Sequence, residues 1–208
     1  MTIKDTETLR EKLQNSCDLL IRRIGQIQIG SDLFPYGWRK AAKGRTVWRI
    51  VEEIITQNLE KYHNDFNLDS IHPSDSEVTV YDMKCVYGNL DAYINIKSAV
   101  VGGKRQKDDI SKADGLKAFY ADDINKQFFV ATFFIQFNAN MSIEITKAIV
   151  FPIAWIPDIY VNPSNNGNLQ SAYYKDLGDA VKRTNNQFIP LLHDAIQIAE
   201  KKKQEKKK

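Results

Sequence analysis

The stretch Y-D-M-K-C-V-Y-G-N-L-D-A-Y-I-N-I-K-S, Tyr81 to Ser98, holds three residues whose types suit one reaction: Asp82, Asn95 and Lys97. A carboxylate and an amide oxygen are hard donors for a divalent cation such as Mg2+. An ammonium beside them can stabilise negative charge on an attacking water or on a phosphoryl group in transit. These are the parts that metal-assisted hydrolysis of a phosphodiester requires, provided one structure brings them together.

A hairpin would do so. Two apolar-polar alternating runs flank Gly88-Asn89, a pair that tolerates the positive φ of a two-residue turn. With the turn centred there, Tyr87 pairs with Leu90 and Asp82 lies opposite Asn95. Lys97 then projects from the face of Asn95, while Ile94 and Ile96 point to the other side. Directly opposed side chains have Cβ atoms roughly 4.5–5.5 Å apart. Asp91 falls on the same face, nearer the turn.

The elements around the hairpin follow from periodicity. Leu9, Leu13, Cys17, Leu20, Ile24 and Ile27 predict an amphipathic helix over about residues 6–28. A Gly-, aromatic- and base-rich loop follows. Val47, Ile50, Val51, Ile54, Ile55 and Leu59 predict a second helix over about 45–62. After the hairpin come a charged loop, V-V-G-G-K-R-Q-K-D-D, and a short helix containing Gly115. Two strong strand runs are joined at Asn138-Ala139-Asn140. The first is apolar on both faces, as a central strand covered by helices would be. The second sets Ile143, Ile145 and Lys147 against Glu144 and Thr146. A polar loop at 162–170 precedes a helical region from about 171 onward. The order predicts an α/β fold in a single domain, 1–208, with a mixed central β-sheet flanked by helices.

Composition agrees. The 208 residues are 43% hydrophobic and 26% charged, the balance of a soluble globular domain. No apolar run reaches membrane-spanning length, so no membrane partner is expected. The N-terminus lacks the apolar region of a signal peptide, which predicts a cytoplasmic protein. Cys17 and Cys85 read as buried thiols. The net charge of +3 is concentrated in the lysine-rich C-terminal tail, 201–208, whose six lysines and one glutamate give +5 and leave the preceding chain near −2. Such a tail reads as a solvated helix end that adds salt-sensitive attraction to a polyanion.

The Asp82 and Asn95-Ile96-Lys97 pair of positions resembles the PD-(D/E)XK nuclease superfamily, in particular the small type II restriction endonucleases that cut to blunt or near-blunt ends. In that family a metal-binding Asp lies on one strand and the D/E-X-K triplet on its neighbour. An upstream helix often carries a further Glu in a pattern like G-R-x-x-G-x-x-x-E. Here Gly44-Arg45-Thr46-Val47-Trp48-Arg49-Ile50-Val51-Glu52 matches it, with Trp48 at the second glycine. Glu52 is the matched acid and Glu53 its near alternative.

The resemblance implies a restriction-endonuclease-like fold and Mg2+-dependent, sequence-specific hydrolysis of double-stranded DNA, with Mn2+ as a substitute ion. It makes Asp82, Asn95 and Glu52 the metal ligands and Lys97 the residue that orients water and stabilises charge. It implies a homodimer, because symmetric cutting needs two sites. DNA contacts are expected from Arg39, Lys40, Lys43, Arg45, Lys104, Arg105 and Lys107, and from Asn165, Asn166 and Asn168 in the polar loop. One position departs from the family: Asn95 stands where Asp or Glu is usual. It reads as natural in an active enzyme, as a substitution that traps uncut DNA, or as the mark of a protein that binds without cutting. A repair nuclease or junction resolvase, a non-catalytic DNA-binding protein of the same fold, and a plain polar cluster on a solvated sheet face stay open.

Overall fold

The computed structural model describes residues 1–208 except 31–35, 39–42, 75, 77–78, 164–166 and 207–208, and except the side chains of residues 43–46. The described elements run α1 (Ile3–Ile24), β1 (Gln26–Gln28), α2 (Lys43–Lys61), β2 (Ser70–Pro73), β3 (Met83–Tyr87), β4 (Leu90–Val100) and β5 (Asp108–Lys112). They continue with α3 (Ala113–Asp122), β6 (Gln127–Phe137), β7 (Ser142–Pro152), β8 (Tyr160–Val161), β9 (Asn168–Ser171) and α4 (Asn185–Glu205). Six strands form a mixed sheet in the order β1-β7-β6-β4-β3-β2, in which β4 and β6 are parallel and the other pairs antiparallel. A small antiparallel sheet, β5-β9-β8, sits apart. No described helix is long and apolar enough to cross a membrane.

The central strand is β6, and its two apolar faces build two cores. Phe129, Ala131, Phe133 and Ile135 pack with Leu9, Leu13, Leu20, Val51 and Ile55 of α1 and α2. Phe128 and Val130 pack with Leu116, Phe188, Leu192 and Trp155 beneath α3 and α4. Fully burying one such side chain contributes about 1.5–3 kcal/mol. The layers therefore fix the sheet against helices on both sides.

The hairpin has the anticipated register: Tyr87 pairs with Leu90 and Met83 with Ile94. Only Gly88 takes positive φ, at 59°, so the turn rests on glycine at its first central position.

Several expectations need correction. The first helix stops at Ile24 because Gly25, at φ 60°, turns the chain out, and residues 26–28 form an edge strand on β7. The last helix begins at Asn185 rather than near 171, where Thr184 and Gln187 form a capping box. Part of the polar loop is strand β9, paired with both β5 and β8. Ile143, Ile145 and Lys147 do not share a face. Phe134 pairs with Lys147 but Ile135 with Ile145, so Thr146 is an extra residue in β7. That bulge inverts the alternation: Ile143 and Ile145 enter the α1–α2 core, and so do Ala148 and Val150 beyond it. Lys147 emerges on the opposite face.

Candidate functional site

At Met83 the regular β3–β4 ladder ends, although the Asp82 backbone amide still donates to Ile94 O at 2.8 Å. Ile96 N would then lack a partner on β3. The Asp82 side chain supplies it, Oδ2 accepting from Ile96 N at 2.6 Å. Asp82 as a residue is exposed, but its carboxyl is drawn in against β4. Burial raises the Asp82 pKa above the ordinary carboxylate value, while the Ile96 amide and the Lys97 ammonium pull the other way.

Glu52 reaches the same place from α2. Val47, Val51, Ile55 and Leu59 face the core and lay that helix along β4, so Glu52, next to Val51, is half-buried at the margin of the sheet. Burial pushes its pKa up to about 7; Lys97 lowers it, Asp82 raises it and Arg49 lowers it, in that order of size. Glu52 and Asp82 line one cleft of about 590 Å³ with Trp48, Arg49 and Ile96. Glu52 and Lys97 line a second, of about 320 Å³. Two carboxylates and an ammonium from three separate elements are thus within electrostatic reach of one another. Glu53 is the lesser acid: it is exposed and accepts from Gln57 Nε2 at 2.7 Å. Asp91 is paired with Lys84 at 2.7 Å.

Asn95 is 8% exposed, and its amide nitrogen donates to Val80 O at 3.2 Å and to Ile110 O at 3.1 Å. A carboxylate could make neither bond, since it has no proton to give. The amide therefore ties the segment before Asp82 and strand β5 to β4. Its Oδ1 is buried without a hydrogen-bond partner, as is Oγ1 of Thr132, the parallel partner of Lys97 on the same sheet face. Leaving such an atom unsatisfied costs about 1–3 kcal/mol, so each invites a ligand or water.

Among the described residues no three His, Cys, Asp or Glu side chains gather into a metal-binding group. Glu52 and Asp82, which share one cleft, nevertheless fit Mg2+, which keeps several waters and takes one or two carboxylates alongside phosphate oxygens. Asn95 lines a separate pocket with Thr79, Val80 and Asp109, so the structure does not bring its amide oxygen to them.

The expected DNA-contacting residues divide. Arg39, Lys40, Asn165 and Asn166 lie outside the described residues; Lys43 and Arg45 fall in the first turn of α2, but their side chains lie outside the description. Lys104 and Arg105 line a cleft of about 530 Å³ that Lys97 shares. The Arg105 guanidinium is turned onto Asp179 at 2.9 Å and Asp176 at 3.6 Å, so much of its charge is offset. Lys107 lies over the Tyr160 ring at 4.1 Å. Asn168 donates to Asp109 at 3.0 Å, and Gln170 donates to the other oxygen of that carboxylate at 2.6 Å. Lys147 also lines the Lys97 cleft; only a bulge puts it there, and alternation alone points it elsewhere.

The chain matches no protein-family model, and a search of curated proteins finds no relative.

Proposed function

We propose that this protein is a metal-dependent nuclease that hydrolyses double-stranded DNA, working as a type II restriction endonuclease of the PD-(D/E)XK kind. The observation that carries the reading is the convergence of Glu52, Asp82 and Lys97 from α2, the residue before β3, and β4 on two clefts that Glu52 shares, with burial raising both carboxyl pKa values. Plain surface polarity does not place two carboxyls in a cleft and then oppose them with one lysine.

Asp82, held by the Ile96 amide, has a fixed oxygen left to offer a cation. Asn95 would act from behind the site, its amide clip holding the Val80 segment that precedes Asp82. When bound, Mg2+ would polarise the scissile phosphate and acidify water. Lys97 sits where it can stabilise the extra negative charge of the pentavalent phosphate. Glu52, whose proton a bound cation would displace, would be the second carboxylate ligand, and the proton of the attacking water would leave to solvent. Symmetric double-strand cutting requires two such sites, hence a twofold dimer.

Incubating supercoiled plasmid with Mg2+, with Mn2+ and with EDTA tests the reading. Discrete metal-dependent fragments, abolished by Asp82→Ala and by Lys97→Ala in proteins that still melt cooperatively, are the expected result. Nicking alone would indicate a repair nuclease, and retardation without cutting a DNA-binding protein.

A further inference from the structure

Beside the two carboxylates, on the far side of Lys97, lies the cleft of about 530 Å³ bounded by β4, the 103–106 loop, β7 and residues 172–176. Its acids are already engaged. Asp108 is bonded to Lys175, Asp176 to Arg105, and Asp109 holds the amides of Asn168 and Gln170. Lys104 and Lys147 form no ion pair among the described residues, and Lys97 faces Glu52 and Asp82 without a direct one. The cleft is therefore net cationic where it is open.

Lys147 is there because the sheet is broken to put it there. In an unbulged β7, Lys147 would follow Ile143 and Ile145 into the apolar α1–α2 core. The extra residue Thr146, whose hydroxyl bonds Phe134 O at 3.3 Å, returns Ala148 and Val150 to that core and swings Lys147 out over the Phe134 ring at 4.6 Å. Bulges that re-aim one side chain are over-represented beside active sites. In the register Lys147 lies one row along from Lys97, across Phe134 from Ala99. The two lysines thus project from one sheet face, their backbones two strand spacings (roughly 10 Å) and one row apart.

We propose that Lys147 is a positioning residue that binds a second phosphate of the DNA strand whose scissile phosphate Lys97 faces, so that the strand runs from the Glu52–Asp82 cleft past Lys97 to β7. The proposal rests on the nuclease reading for the scissile phosphate, but the phosphate contact at Lys147 does not depend on cutting. A phosphate gripped beyond the reacting one fixes the register of the strand in the site without touching the bond that breaks.

The test measures binding of a fluorescein-labelled 20-base-pair duplex in EDTA, across a salt series, by fluorescence anisotropy. Wild type, Lys147→Ala, Lys147→Arg and a control at the exposed Lys117 of α3 are compared, each checked for a wild-type melting curve. One lost phosphate contact should lower the slope of log K against log[salt] by about 0.9 and weaken binding about eightfold at 0.1 M salt. Lys147→Arg and Lys117→Ala should keep the wild-type slope. A Lys147→Ala protein with unchanged slope and affinity overturns the proposal, as does a wild type that fails to bind the duplex. Failure of the plasmid assay alone, with the slope still lowered, would remove the nuclease reading and leave Lys147 as a DNA contact.

Discussion

Glu52→Gln isolates the most informative group in the site. The carboxyl rises from an ordinary value of 4.5 to about 7, mainly through burial. A raised folded-state pKa means that the folded protein resists ionisation, so stability falls as pH rises from about 4.5 to about 7 and stays at its lower level above that. The full difference would correspond to about 3 kcal/mol. Glu52 keeps partial access to solvent, and screening reduces this to about 1–2 kcal/mol. Glutamine carries no charge at any pH and escapes the penalty. The variant should match wild type near pH 4.5 and exceed it by roughly 2–8 °C in melting temperature at pH 8, in EDTA, for a domain of this size. Differential scanning calorimetry from pH 4.5 to 8.5 reads this directly. Mg2+ should then raise the melting temperature of wild type more than that of the variant, because one proposed ligand has gone. A variant less stable than wild type at pH 8, or a difference that does not change with pH, would refute the placement of Glu52.

Gly115→Ala should destabilise the fold by roughly 1–3 kcal/mol in chemical denaturation, because a Cβ there would overlap Val80 Cγ1. Since Val80 O anchors Asn95, the same variant should weaken Mg2+ protection more than a Lys117→Ala change at an exposed position of α3 does. Deleting residues 201–208 should leave any fragment pattern unchanged and make the salt slope of non-specific binding shallower by up to about five units; a changed cutting pattern would contradict it. Asn95→Asp should cost roughly 2–4 kcal/mol in EDTA, since a carboxylate would face two carbonyl oxygens in place of two hydrogen bonds, and Mg2+ should recover part of the loss. A variant as stable as wild type without metal would show that the amide clip is dispensable.

The hairpin was legible because its signals are local: Gly88 for the turn, and an alternation of period two that sets the register. Helices α1 and α2 and the two-faced strand β6 were legible for the same reason. Strands β5, β8 and β9 were not, since D-D-I-S-K, Y-V and N-L-Q-S carry too little apolar patterning, and β5 finds β9 across 50 or more residues of chain. The bulge at Thr146 was hidden because one extra residue disturbs no composition or period that a short window detects. The role of Asn95 was hidden as well: its partners, Val80 and Ile110, lie 15 residues away on either side and contribute only backbone oxygens.

That clip explains why an amide can stand where a carboxylate would add cation affinity. With Asn at 95, the negative charge of the site resides in Asp82 and Glu52, against Lys97. While Glu52 holds its proton the three groups come to about zero, and a phosphodiester can approach without repulsion. Once Glu52 ionises the site becomes net negative and favours a divalent cation. Glu52 crosses from one state to the other at about pH 7, so on the proposed reading a divalent ion bound near neutrality would displace its proton. Divalent affinity should therefore rise through pH 6–8 in wild type. In Glu52→Gln it should be weaker and nearly flat over the same range. Calorimetric titration with Mg2+ in two buffers of different ionisation enthalpy counts the proton released, and a count of zero at pH 6.5 would take Glu52 out of the metal site.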